Sequence, residues 1–203
     1  MSSTTPITIA ITGASGACYA LRLIQRLAQQ QQPMHLILSD AARVVLTQEI
    51  NLTLPEDIGD TSKAIANQLH IDEKQINTYG LHDWMAPPAS GSAGIQRMVI
   101  IPCSMGTLAR IANGISNTLI ERAADVILKE RRQLIVVPRE TPLSAIHLEH
   151  MLKLARLGVH ILPAMPGFYH RPQSLDDLVD FIVERVLDTL GIATNHALRW
   201  GSQ

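Results

Sequence analysis

Cysteine is nearly missing from this chain, and its two residues, Cys18 and Cys103, lie far apart with no C-x-x-C spacing. That argues against a disulfide framework and suits reduced thiols, so a cytoplasmic location is expected. An excess of one charge is missing as well. Seventeen basic and eighteen acidic side chains leave a net charge of -1, which offers no field for gathering nucleic acid or an anionic membrane surface. No membrane-length hydrophobic run occurs: the first apolar stretch is strand-length and broken by glycines, so it reads as neither a signal peptide nor a membrane span. Internal repeats and low-complexity segments are absent, and the glutamines at 29–32 only close a helix. Aromatics are few, two Trp, three Tyr and two Phe, and of these Trp84, Phe168, Tyr169 and Trp200 fall in expected loops or the tail. Aromatics placed in loops suit a flat or cationic ligand. Packing of Trp84 and Trp200 at a subunit interface would explain those two equally well.

What is present is apolar alternation punctuated by glycine. With 203 residues, 46% of them hydrophobic, the chain can bury one core and is short for two. It is read as one domain, residues 1–203, with 192–203 as a C-terminal tail. Ile7, Ile9 and Ile11 alternate, the pattern breaks at Gly13-Ala14-Ser15-Gly16, and helical spacing follows to residue 30. In such a strand–turn–helix unit the first helix amides lack backbone partners, so the turn is expected to hold a phosphate-bearing ligand. A corner of this kind is often only a corner, and the full G-x-G-x-x-G fingerprint is absent. Further strands are expected at 34–38, 98–101, 134–137 and 159–162, with a short edge strand at 75–79. Helices are expected at 41–49, 61–69, 119–131 and 174–190, the last capped by Ser174 with Asp177 at its third position. The Pro- and Gly-containing stretch 83–92 and the segment 102–107 are expected to be loops. Alternation of this kind points to an α/β fold: a single-domain, Rossmann-like or flavodoxin-like parallel sheet with helices on both faces. The polar loops that follow the strands would then converge along the carboxyl edge, where such sheets bind ligands.

Several constellations carry possible chemistry. Arg122 and Lys129 are seven apart on one expected helix and could clamp an anion, or form a solvated face. Arg139-Glu140 directly follows a strand, where a cation and an acid could serve as phosphate clamp and proton donor; a surface ion pair is the plain alternative. Asp176-Asp177-Leu178-Val179-Asp180 spells D-D-x-x-D, the magnesium motif of helical isoprenoid synthases. It stands once, at a helix start where acids offset the dipole, so no metal is expected. His147 and His150 are one turn apart without a third ligand, and read as helix-surface residues. Cys103 reads as a small buried residue, not a nucleophile. Asp40 lies about where a Rossmann fold places its ribose-binding acid, which keeps a nicotinamide enzyme in view, although the glycine spacing is wrong for one.

Six blocks, in order, cover nearly the whole chain: Thr12-Gly13-Ala14-Ser15-Gly16-Ala17; Ser39 with Ala41-Ala42; Pro102-Cys103-Ser104-Met105-Gly106-Thr107; the run from Leu119 through Glu121-Arg122 to Lys129-Glu130; Val137-Pro138-Arg139-Glu140-Thr141-Pro142; and Pro166-Gly167-Phe168-Tyr169-His170 with Pro172-Gln173-Ser174. Together they resemble the flavin prenyltransferases of the UbiX type. Thr118 departs from the pattern, which has a second asparagine after Asn117. The resemblance implies a cytoplasmic homo-oligomer, expected to be a dodecamer, that needs no metal. It would attach a dimethylallyl group from dimethylallyl monophosphate to N5 and C6 of reduced FMN, and hand the prenylated FMN to a UbiD-type decarboxylase. It assigns FMN to Gly13, Ala14, Ser15, Ser39, Ser104, Met105, Gly106, Thr107, Arg122 and Arg139. The donor falls to Ser90, Lys129, Arg139, Tyr169, Arg185 and Trp200, and catalysis to Ser15, Glu49, Trp84, Lys129 and Glu140. The competing readings are a flavin-dependent decarboxylase of a cysteine-containing substrate and a non-catalytic FMN carrier.

Overall fold

The structure, a computed structural model, describes residues 5–193. Strands β1 (Ile7–Ile11), β2 (Met34–Leu38), β3 (Ile76–Tyr79), β4 (Arg97–Cys103), β5 (Gln133–Pro138) and β6 (His160–Ile161) form one six-stranded sheet in the order β3-β2-β1-β4-β5-β6. Every pairing is parallel. Helices α1 (Ala17–Gln29), α2 (Asp40–Ile50), α3 (Ile58–Leu69), α4 (Met105–Ala112), α5 (Leu119–Lys129), α6 (Ala145–Arg156) and α7 (Leu175–Thr189) cover it.

Side-chain alternation along the strands divides the interior in two. Ile7, Ile9, Ile11, Val99, Ile101, Ile135 and Val137 are buried with the apolar faces of α1, α3 and α7. Ala10, Ile37, Met98, Ile100, Leu134 and Val136 point the other way and are buried with α4, α5 and α6. Strands covered on both faces must be apolar at successive positions, which is why β1 reads Ile-Thr-Ile-Ala-Ile without an exposed residue. From β1 the chain winds outward through β2 to β3, then returns to β4 and winds the opposite way. The carboxyl ends of β1 and β4 are therefore the switch point, the position at which open parallel sheets bind ligands.

Three segments differ from the sequence expectation. Residues 104–107 open a helix: Ser104 caps α4 by accepting the Thr107 amide (3.3 Å), and Met105, Leu108, Ile111 and Ala112 bury its inner face. The preceding strand runs on through Pro102 and Cys103, tolerated because the β4–β5 register shifts between Ile100 and Cys103, so no ladder hydrogen bond is demanded of the proline. The stretch after β3 holds two 3-10 turns, Pro87–Ala89 and Gly91–Ala93. It is pinned to the domain by Arg122 Nε on the Ala89 carbonyl (3.0 Å) and by Arg132 on the carbonyls of Gly91 (2.9 Å) and Ile95 (3.0 Å).

The D-D-x-x-D run is structural. Asp177 accepts the Ser174 and Gln173 amides at the start of α7, while Asp176 pairs with Arg22, and Asp180 with both Arg22 and Arg26, on α1. Asp180→Ala is expected to lower stability by about 1–2 kcal/mol, because Arg26 loses its partner and Arg22 keeps only Asp176. Urea unfolding with an unchanged m-value would measure the loss. His147 and His150 are structural as well: His147 Nδ1 accepts the Ser144 amide in a capping box, and His150 lies 3.1 Å from Asn113 Nδ2.

His35 on β2 stands beside Thr8 on β1, and His35 Nδ1 and Thr8 Oγ1 are buried without hydrogen-bond partners among the described residues. Burial lowers the His35 pKa below the ordinary histidine value of 6.5, so the folded state keeps the ring neutral where the unfolded chain would protonate it. This contribution to stability is present above about pH 6.5 and is lost as pH falls toward the lower folded value. His35→Leu is expected to flatten that limb of the stability–pH curve, measurable by Tm at stepped pH.

Candidate active site at the switch point

The β1–α1 turn is built for close approach. A Cβ at Gly13 would collide with that of Ala41, so the turn can press against the start of α2 only with glycine there. Gly16 has φ 116°, and a side chain there would also meet the Tyr19 ring. Thr12 ties this turn to β4: its Oγ1 donates to the Pro102 carbonyl (2.9 Å) and accepts the Ser104 amide (2.7 Å). Ser39 caps α2 by accepting the Ala42 amide (3.1 Å). Arg139, just past β5, donates from Nε to the Ser15 carbonyl (3.2 Å), and Glu140 accepts the Thr141 amide (3.0 Å). Gly13, Ala14, Ser15, Ser39, Ser104 to Thr107, Arg139 and Glu140 thus share the carboxyl edge.

One expectation is overturned here. The α1 amides offered to a phosphate already hold an anion, the Glu49 carboxylate. It accepts from Gly16 N (3.0 and 3.2 Å) and Ala17 N (2.9 Å). Burial alone would raise the Glu49 carboxyl, but hydrogen bonds from Ser15, Gly16 and Ala17 and the charge of Arg139 outweigh it and hold the group below its ordinary value. Glu49 can arrive because α2 lies across the carboxyl edge, with Ala41 against Gly13 at one end and Glu49 on the turn at the other. The start of α4 stays open: the amides of Met105 and Gly106 have no acceptor among the described residues, as is also true of Asp40 and Ala41 at the start of α2.

The remaining candidates stand elsewhere on the chain. Arg122 is engaged with Asp125 (3.0 Å) and the Ala89 carbonyl, and Lys129, 49% exposed, pairs with Glu130 (2.8 Å). Lys129 ends α5 just before β5 begins, whereas Arg139 follows the end of β5, so in one chain the strand's length, about 20 Å, separates them. Ser90 lies in the pinned turns beside α5, and its hydroxyl meets that of Ser92 (2.9 Å). Arg185 lines a cavity of about 570 Å³ with His160, Pro163, Met165 and Phe181 along the β6 edge. The Tyr169 ring packs edge-on against Phe181 at 5.8 Å, which brings it to the same flank. Trp84 is 48% exposed in the loop after β3, and Trp200 lies outside the described residues. A single chain therefore brings Ser15 to Arg139, and leaves Lys129, Tyr169 and Arg185 on outer surfaces.

Cys103 is fully buried and its thiol is pushed up to about 12 by that burial, which leaves no thiolate for nucleophilic chemistry. Sequence reasoning passed over Arg110 and Glu121. Glu121, 1% exposed, accepts the amides of Asn117 (2.8 Å) and Thr118 (2.9 Å) and pairs with Arg110 Nε. The signal was available: Thr118-Leu119-Ile120-Glu121 has the T-x-x-E spacing of a capping box. Among the described residues no group of three or more His, Cys, Asp or Glu could hold a metal ion, and no helix is long and apolar enough to cross a membrane.

Comparison with known proteins gives the family. The Flavoprotein family matches residues 1–187. The chain is 53% identical over its full length to the flavin prenyltransferase UbiX of Pseudomonas aeruginosa, covering 97% of that protein. A dodecameric FMN-dependent UbiX-like decarboxylase from Escherichia coli O157:H7 superposes with a TM-score of 0.86 at 38% identity, covering 97% of this chain and 100% of that one. AnUbiX (PadA1), solved with FMN and dimethylallyl pyrophosphate, gives a TM-score of 0.87 at 37% identity, with 98% and 99% covered. With the switch point of the parallel sheet, the blocks along its carboxyl edge and these full-length matches, the chain belongs to the Flavoprotein family, among its UbiX-type flavin prenyltransferases.

Proposed function

We propose that this chain joins the dimethylallyl group of dimethylallyl monophosphate to N5 and C6 of reduced FMN, without a metal ion, and passes the prenylated FMN to a UbiD-type decarboxylase. The observation that carries this reading is the meeting of Glu49, Ser15 and Arg139 on one turn beside the open start of α4. The open amides of Met105 and Gly106, with the Thr107 hydroxyl, suit the acceptor oxygens of the FMN phosphate, and Ser104 caps the same turn. Gly13, Ala14, Ser15 and Ser39 then border the flavin, and Arg122 belongs to the cofactor set through the segment it pins. Reduced FMN supplies the nucleophilic N5 and C6.

Opening an allylic C–O bond spreads positive charge over the prenyl fragment and leaves negative charge on phosphate, so cations are needed at one end and π faces at the other. Arg139, Lys129, Arg185, Tyr169 and Ser90 take the phosphate, and Trp84 and Trp200 flank the prenyl group. A fixed basic clamp replaces magnesium. Glu49, held ionised, accepts the proton lost at C6, and Glu140 serves the phosphate side. Because one chain separates these groups, the site is completed by neighbouring copies in a homo-oligomer, a dodecamer as in the Escherichia coli relative. Ile146, Leu148 and Leu152 on α6 and Met165 beyond β6 are exposed apolar residues suited to such contacts. The reading treats residues 1–203 as one domain with 192–203 as its tail. It assigns the protein to the cytoplasm, consistent with Cys18 and Cys103 being free thiols.

The test is anaerobic incubation with reduced FMN and dimethylallyl monophosphate, followed by the mass of the flavin. A gain of one prenyl unit is expected. Unchanged flavin alongside a decarboxylated cysteine-containing substrate would favour the decarboxylase reading, and unchanged flavin with no product of either kind a carrier.

A further inference from the structure

We propose that Arg110, oriented by the buried Glu121, is a positioning residue that turns the Thr107 hydroxyl into an obligate donor toward the phosphate of FMN. The inference rests on the reading of the α4 start as the phosphate cradle. Arg110 offers its fork to two groups, Nε to the Glu121 carboxylate and NH2 to Thr107 Oγ1 (3.2 Å). Ser104 Oγ donates to the same Thr107 oxygen (3.1 Å) while accepting the Thr107 amide. A hydroxyl carries one proton and two acceptor sites. Both acceptor sites of Thr107 are filled from within the protein, so its proton is the only group it has left to offer. Thr107 is 3% exposed, and a buried O–H without an acceptor is costly. The open amides of Met105 and Gly106 lie in the same turn. Three donors of one turn thus have no acceptor among the described residues, which suits a phosphate better than a neutral ligand.

Glu121 makes the arrangement rigid and charge-balanced. Its carboxylate accepts from Asn117 N and Thr118 N as well as from Arg110, so the start of α5 fixes the direction of the guanidinium over α4. Removing Arg110 would free an acceptor site on Thr107, allowing its proton to turn elsewhere, and would leave the negative Glu121 uncompensated near the bound anion.

The test compares FMN with riboflavin, which has the same ring and no phosphate, in equilibrium binding to the full-length assembled protein followed by flavin fluorescence. Arg110→Gln is expected to weaken FMN about tenfold and leave riboflavin within about twofold. In a Thr107→Val background, Arg110→Gln is expected to add nothing further. An unchanged preference for FMN in Arg110→Gln, an equal loss for both flavins, or a loss that persists without the Thr107 hydroxyl would overturn the proposal and reduce the pair to a strut between α4 and α5. Should Arg110→Gln fail to fold, Arg110→Lys keeps the charge but cannot span both partners; it is expected to lose the preference in the same direction, and wild-type preference there overturns the proposal. Wild-type protein that binds both flavins equally would sink the phosphate cradle and this inference with it, whereas prenyl transfer itself is read by flavin mass and can stand or fall separately.

Discussion

Mixed oligomers of two nearly inactive variants, Glu49→Gln and Lys129→Ala, are expected to recover about a quarter of wild-type turnover, the share of sites that draw an intact residue from each parent in an even mixture. Each variant alone is expected to lose about 10²–10³-fold, since one removes a positioned base and the other a charge on the leaving phosphate. The reason to expect recovery is geometric. Glu49 sits on the β1–α1 turn at the carboxyl edge, and Lys129 sits at the end of α5 next to the start of β5. A site that uses both must take them from different copies. Co-expression with two tags, isolation of doubly tagged oligomers and measurement of prenyl transfer would decide the matter. No recovery in a verified mixed oligomer would remove the shared site.

The second expected result concerns Glu49 alone. Glu49→Gln should cost about 1 kcal/mol of stability at neutral pH, because a neutral amide oxygen accepts the Gly16 and Ala17 hydrogen bonds more weakly than a carboxylate and does not complement the helix dipole with a negative charge. The pH dependence has a definite sign. The folded carboxyl lies below its ordinary value of 4.5, so its contribution is present above about pH 4.5 and is lost as pH falls through the folded value. Wild type and variant should therefore differ in neutral solution and converge in acid. Turnover should report the same group differently: the rate falls at all pH values in the variant, while the acidic limb of the wild-type profile follows Glu49. Parallel stability curves, with no convergence in acid, would mean that the carboxylate is not what caps α1.

Much of the fold was legible in the chain. Strand-length apolar runs at residues 7–11, 34–38 and 134–137 marked the strands, and Ser174 with Asp177 marked the start of α7. The segment 104–107 was misread because Pro102 and Gly106 signal a loop locally, whereas Ser104 capping and burial of Met105 and Leu108 make it a helix. The stretch 83–92 was misread for a related reason: prolines argue against regular structure, but two arginines from later in the chain hold it in short turns.

By itself, the sequence determined the α/β class, the direction of the sheet, the edge at which ligands gather and the family, because these follow from periodicity and from contiguous blocks. It also ruled on D-D-x-x-D, since acids at a helix start are explained by the dipole. Only the tertiary structure decided that the start of α1 is occupied. An anion site at a helix N-terminus will accept any carboxylate within reach, and nothing local to Gly13–Gly16 announces that Glu49, 33 residues on, will take it. The same holds for the placement of Lys129 relative to Arg139. Residues at opposite ends of a strand can appear together in a motif list, and the rigid length of the strand keeps them apart within one chain.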